Sequence, residues 1–124
     1  MTKEEQLLEI DRQFARLAQT EGVFAWRRYC ADDVLMATSE HNPYVEGWSS
    51  IEPSLQELYS LDHVIFTWSP TYAFVSGDNS LGVTTGLYER TYLTNGETKK
   101  QHGKYVNVWR KISNQWTIVF DMGN

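Results

Sequence analysis

The chain of 124 residues has a single cysteine, Cys30, so it can form neither an internal disulfide nor a cysteine-rich metal site. It has no apolar run of membrane length and no secretory leader pattern, so a cytoplasmic location without a membrane partner is expected. It also lacks a basic run. Eleven Lys and Arg stand against 16 Asp and Glu, a formal net charge of −5, which argues against a nucleic-acid partner. There is no phosphate loop, dinucleotide fingerprint, HExxH or Gly-x-Ser-x-Gly elbow. No cofactor is therefore expected. His41, His63 and His102 are scattered without an i,i+4 pair, and no metal site is expected. Repeats, linkers and low-complexity segments are missing too, so residues 1–124 read as one domain with room for a hydrophobic core.

Aromatics are abundant: 14% of the chain, with five Trp and seven Tyr. Such rings pack while offering a polar tip, which suits a ligand pocket or an interface. Lys3 to Thr20 has the 3-4 spacing of an amphipathic helix in Leu7, Ile10, Phe14 and Leu17, with Asp11 and the other charges mostly off that stripe. A second helix is predicted from about Val23 to Cys30, with Trp26 and Tyr29 facing inward. Ser49-Ser50-Ile51-Glu52 reads as a capping box opening a third helix to about Leu61, with Pro53 in its first turn. Short strands are expected at Val34 to Thr38 and Tyr44 to Gly47. Longer ones follow at His63 to Ser69, Thr71 to Ser76, and Leu81 onward.

The C-terminal stretch organises the rest. Two turn signals, Asn95-Gly96 and Ser113-Asn114, join three alternating runs. Side chains alternate across a strand, so register decides the faces. The first turn sets Arg90 opposite Gln101, Tyr88 opposite Gly103, Gly86 opposite Tyr105 and Thr84 opposite Asn107. The second, as a two-residue loop, sets Trp109 opposite Ile118, Asn107 opposite Phe120 and Tyr105 opposite Met122. That face is aromatic and reads as inner. Gly82, Gly86 and Gly103 share it, which predicts strong curvature; a hollow and a filled bend both fit. The outer face carries Val106, Val108 and Val119, which predicts a homodimer. Asp121 falls on that outer face.

Asn107 stands out as an amide between Tyr105 and Trp109. Either Thr84 satisfies it or it meets a ligand. The candidate ligand wall is Thr84, Tyr88, Tyr105, Trp109 and Phe120 from the strands, with Phe14, Trp26 and Tyr29 from the helices. Glu40 and Glu46 flank the expected mouth, and either could act as general base if burial raised its pKa.

Five segments carry a family likeness: Glu9 to Phe14, Tyr29 to Asp33, Thr85 to Tyr88, His102 to Trp109, and Trp116 to Asp121. Together they resemble the nuclear transport factor two-like superfamily, in particular its SnoaL-like, ketosteroid-isomerase-like branch. The resemblance implies an α+β, cystatin-like cone. In it a curved, mostly antiparallel sheet of about five or six strands wraps a long N-terminal helix and two shorter ones, commonly as a homodimer with a pocket in its mouth. The isomerase's oxyanion-donating aspartate corresponds to Asn107, its base to Thr38 with Glu40 two residues on, and its donor tyrosine falls near Phe14. The association domain of the calmodulin-dependent kinase places an arginine at Asn107. The expectation is a domain that binds a small hydrophobic ligand. The alternative is a proton-transfer enzyme, an isomerase, cyclase or dehydratase, with Asn107 and Tyr105 at the oxyanion and Glu40 or Glu46 as base.

Overall fold

The computed structural model describes residues 1–37 and 43–124. Its elements run α1 (Lys3–Glu21), α2 (Val23–Tyr29), β1 (Cys30–Ala37), β2 (Tyr44–Glu46), α3 (Trp48–Tyr59), β3 (Asp62–Val75), β4 (Leu81–Thr94), β5 (Glu97–Ile112) and β6 (Gln115–Gly123). The strands form one open sheet in the order β2-β1-β6-β5-β4-β3, antiparallel except where β1 meets β6. The α+β class, three helices and six strands agree with the sequence expectation.

Helix α1 starts where the Thr2 hydroxyl accepts the Glu5 backbone N–H at 3.0 Å. Glu4 and Glu5 in the first turn complement the helix dipole. It ends at Gly22, whose φ of 54° suits glycine. Its buried stripe is Leu7, Asp11, Phe14, Ala15 and Ala18, so the stripe includes a carboxylate. Helix α3 begins at Trp48 with Gly47 as its cap and no side-chain cap, so the expected capping box is not made. Pro53 consequently lies inside the helix, one turn past its start, and removes one helical hydrogen bond.

The β4–β5 hairpin has the predicted register throughout, with Thr84 opposite Asn107 and Tyr88 opposite Gly103. Asn95 and Gly96 both have positive φ, 52° and 77°, as the tight turn requires. Strand β3 is continuous through Pro70, with a bulge between Pro70 and Tyr72. An edge strand tolerates a proline because one side of its ladder is unpaired.

The β5–β6 hairpin departs from the prediction. Trp109 faces Ile118 as expected, but Val108 then faces Phe120, leaving Val119 as an extra residue. This bulge reverses the faces beyond it. Asn107 pairs with Asp121 instead of Phe120, and Tyr105 with Gly123. Phe120 joins the convex face, in a row with Phe74, Val83 and Val108.

Gly82 and Gly86 of the concave face mark close approaches. A Cβ on Gly82 would strike the Leu7 side chain, and one on Gly86 the Ser69 carbonyl. The core lies between this face and the helices: Leu7, Phe14, Trp109 and Ile118 are fully buried. Gly96→Val should lower stability by about 1 kcal/mol or more, since a β-branched residue must then adopt positive φ. Chemical denaturation checks this, and an unchanged midpoint would contradict the turn's role.

Candidate functional site

The concave face is built of cross-strand rows two residues apart. One row contains Thr84, Asn107, Asp121 and Met36; the next Gly86, Tyr105 and Gly123. Then come Trp68, Tyr88 and Gly103, and finally Phe66, Arg90 and Gln101. A cavity of about 420 Å³ opens over these rows. Trp26, Phe66, Trp68 and Tyr88 form an aromatic wall, and Ile51, Leu55 and Leu58 of α3 face it. Met36 and Val45 contribute from β1 and β2. That volume lies within the range of small-molecule sites.

One end of the cavity is polar. Tyr105, Asn107 and Asp121 all line it. Behind them Asp11 on α1 is fully buried. Its carboxylate accepts from Tyr105 Oη at 2.9 Å and from Trp68 Nε1 at 3.0 Å. Thr84 also donates toward it, while the Thr84 hydroxyl accepts from Trp109 Nε1 at 2.9 Å. Burial raises the Asp11 pKa, and these three donors and Arg12 oppose the rise. Burial, then the charge of Asp11, pushes the Tyr105 hydroxyl far above its ordinary value.

Among the described residues no cation forms an ion pair with Asp121. Burial, and next the negative charge of Asp11, raise its pKa to about 7. Part of its surface is exposed, and it opens on the cavity. With Nδ2 turned toward β6, the Asn107 amide donates to Asp121 Oδ2 at 2.5 Å and to the Val106 carbonyl at 3.3 Å. When Asp121 is protonated the roles reverse, and the amide carbonyl accepts the carboxyl O–H. The partner of Asn107 is thus Asp121, since Thr84 is engaged with Trp109 and Asp11.

The expected site residues separate into groups. Trp26, Tyr88, Tyr105 and Asn107 come together on the cavity. Phe14, Tyr29, Thr84 and Trp109 pack behind its wall instead of lining it. Phe14 meets Trp26, Trp68 and Tyr29 at ring distances of 4.8–5.0 Å. Phe120 is on the convex face because of the bulge at Val119. Glu46 is exposed, opposite Leu35, while its neighbour Val45 points into the cavity; parity on β2 turns Glu46 away, so it is not placed to act as base there. Thr38, Glu40 and His41 lie outside the described residues. At the polar end of the cavity, sequence reasoning missed Asp11 and Asp121; at the other end it missed Arg90. For Asp11 the i,i+4,i+7 spacing Leu7-Asp11-Phe14 was a usable signal. For Asp121 none existed, because a bulge leaves no mark in an apolar run. Among the described residues no group of three or more His, Cys, Asp and Glu could hold a metal ion. Nor is any helix among them long and apolar enough to cross a membrane.

The raised pKa of Asp121 has a signed consequence. The folded state holds this proton more tightly than the unfolded chain, whose ordinary carboxyl value is 3.8. Stability from this group is therefore full below pH 4 and is lost as pH rises toward about 7, then levels off. Relative to Asp121→Asn, wild type should lose stability across that window. Denaturation at several pH values checks this, and a pH-independent difference would contradict it.

No family model and no curated protein matches the chain. Solved structures do. A CaMKII hub from S. rosetta superposes with a TM-score of 0.79 at 14% identity, covering 100% of this chain and 97% of the hub. An NTF2-like protein with a cystatin-like fold from Novosphingobium aromaticivorans gives 0.74 at 14% identity, over 96% of this chain and 79% of its own. A protein provisionally described as a ketosteroid isomerase, from Shewanella frigidimarina, gives 0.71 at 11% identity, over 94% and 92%. At such identities the likeness is one of fold and not of activity. The chain has the cystatin-like fold seen in NTF2-like proteins.

Proposed function

We propose that this chain binds a small, largely apolar molecule carrying one or two polar groups in the cavity of the concave face. The supporting observation is the division of that cavity: an aromatic and aliphatic wall with a polar end at Asn107 and Asp121. The apolar wall supplies affinity, and the carboxyl–amide pair supplies direction, as in small-molecule sites generally. Near neutral pH Asp121 can donate to a carbonyl or accept from a hydroxyl.

A second reading, proton-transfer catalysis, is favoured by Asp121 alone. A carboxyl poised near 7 at the end of an apolar cavity suits a general acid or base. The oxyanion role expected of Asn107 and Tyr105 finds less support. The Tyr105 proton goes to Asp11, and the Asn107 amide hydrogens go to Asp121 and Val106. In this reading Asp121 takes the base role in place of Glu46, which β2 turns away from the cavity.

Trp26 and Trp68 line the cavity, so tryptophan fluorescence reads its occupancy. Titration with a phenylalkyl methyl ketone should give saturable binding. Leu58→Trp, which fills the cavity, should weaken it at least tenfold while circular dichroism stays unchanged. Binding that survives this variant would refute the cavity as the site. For catalysis, wild type in deuterium oxide should exchange the ketone's α-hydrogens and Asp121→Asn should not. Exchange at the uncatalysed rate in wild type would leave binding alone.

Self-association belongs to the same proposal. The convex row Phe74, Val83, Val108 and Phe120 is apolar across four strands, with Tyr72, Val106 and Met122 in the next row. Phe74 and Tyr72 are each 63% exposed. Patches of this kind mark interfaces, and hub-type structures share the fold. The occupant proposed is a second copy of this chain. Light scattering should give a dimer at micromolar concentration and a monomer for Val108→Glu. A monomeric wild type, or a dimer indifferent to Val108→Glu, would reject this face as the interface.

A further inference from the structure

Arg90 lines the cavity at the end away from Asn107. Its partner on β5, Gln101, lies six residues before Asn107, roughly 20 Å along an extended strand. Among the described residues lining the cavity Arg90 is the one cation and Asp121 the one anion. The guanidinium is held from both sides by its register neighbours. Its Nε donates to Gln101 Oε1 at 2.8 Å, and its Cζ lies 5.2 Å from the centre of the Phe66 ring.

This support leaves work for the rest of the group. A guanidinium has five N–H donors, and the bond to Gln101 uses one. Among the described residues no carboxylate lies within ion-pair distance of Arg90. The open fork matches a carboxylate, which it can engage through two parallel hydrogen bonds. Phe66 and Gln101 restrict its rotation, so less entropy is lost on pairing than for a free surface arginine. A half-buried position also screens the pair less than open water does.

Charge selects further. A single guanidinium with no lysine beside it on the cavity neutralises one negative charge. A phosphate dianion would carry a second charge into a chain that is already −5 overall. At the far end, Asp121 disfavours another anion and accommodates a neutral polar group. We infer that the cavity takes an amphiphilic monocarboxylate, its carboxylate on Arg90 and its apolar body along Phe66, Tyr88 and Trp68 toward Tyr105. This inference rests on the proposal that the cavity binds a small molecule, and it names the ligand class.

The test compares phenylhexanoate with the methyl ketone of the same chain length, by calorimetry and tryptophan fluorescence. The acid should bind wild type at least tenfold more tightly than the ketone. Arg90→Gln should bring the acid down to the ketone's affinity and leave the ketone unchanged. Arg90→Lys, which keeps the charge and loses the fork, should recover part of the preference. Equal binding of acid and ketone to wild type overturns this inference and leaves the cavity proposal standing. An acid preference that survives Arg90→Gln does the same. Tighter, Arg90-dependent binding of the matching phenylalkyl phosphate overturns the monoanion assignment. Binding of neither acid nor ketone to wild type overturns the cavity proposal, and this inference with it.

Discussion

A fully buried carboxylate ties the fold together. Asp11 sits on the inward stripe of α1 with no cation in ion-pair contact among the described residues. Its charge would be expensive there without hydrogen bonds. Trp68 of β3, Tyr105 of β5 and Thr84 of β4 supply them. One side chain of the helix therefore fixes its position against three strands. Apolar packing alone would let α1 slide or rotate on the curved sheet, because dispersion is nearly directionless. Directional bonds to an indole, a phenol and a hydroxyl permit one placement.

The same arrangement shapes the cavity. The bond from the Tyr105 hydroxyl to Asp11 fixes that side chain at the polar end. Burial, and next the charge of Asp11, hold the proton of Asp121 on to about neutral pH. A group that anchors the helix thus adds to the proton affinity of a residue on β6. A carboxyl whose pKa is raised by folding costs stability at neutral pH. The remaining aromatics, Phe14, Trp26, Phe66 and Trp68, interlock with ring centres 4.9–6.3 Å apart and keep the wall rigid.

The convex face follows a different logic. Its valines, Phe74 and Phe120 form a continuous apolar surface that no element of this chain covers among the described residues. The helices lie against the concave face, so among the described residues none is left to cover the convex one.

Local rules settled much of this protein in the sequence itself. Helix α1 followed from apolar spacing, and the β4–β5 hairpin from Asn95-Gly96, whose positive φ angles leave one turn type and hence one register. With that register came the inward placement of Tyr88, Tyr105 and Asn107. Five aromatic-rich segments carried the fold through resemblance. Tertiary structure decided what depends on distant partners. The start of α3 was set by Gly47 and not by the Ser49 capping box. Glu46 was turned outward by its pairing with β1. Above all, the extra residue at Val119 exchanged the faces of β6, taking Phe120 out of the site and bringing Asp121 into it. A bulge is chosen by the curvature that a sheet must adopt around its helix, and β6 must meet β1 and β5 at once. Nothing in Thr117-Ile118-Val119-Phe120 distinguishes a straight strand from a bulged one, so the face on which Asp121 falls was decided only when the sheet was built.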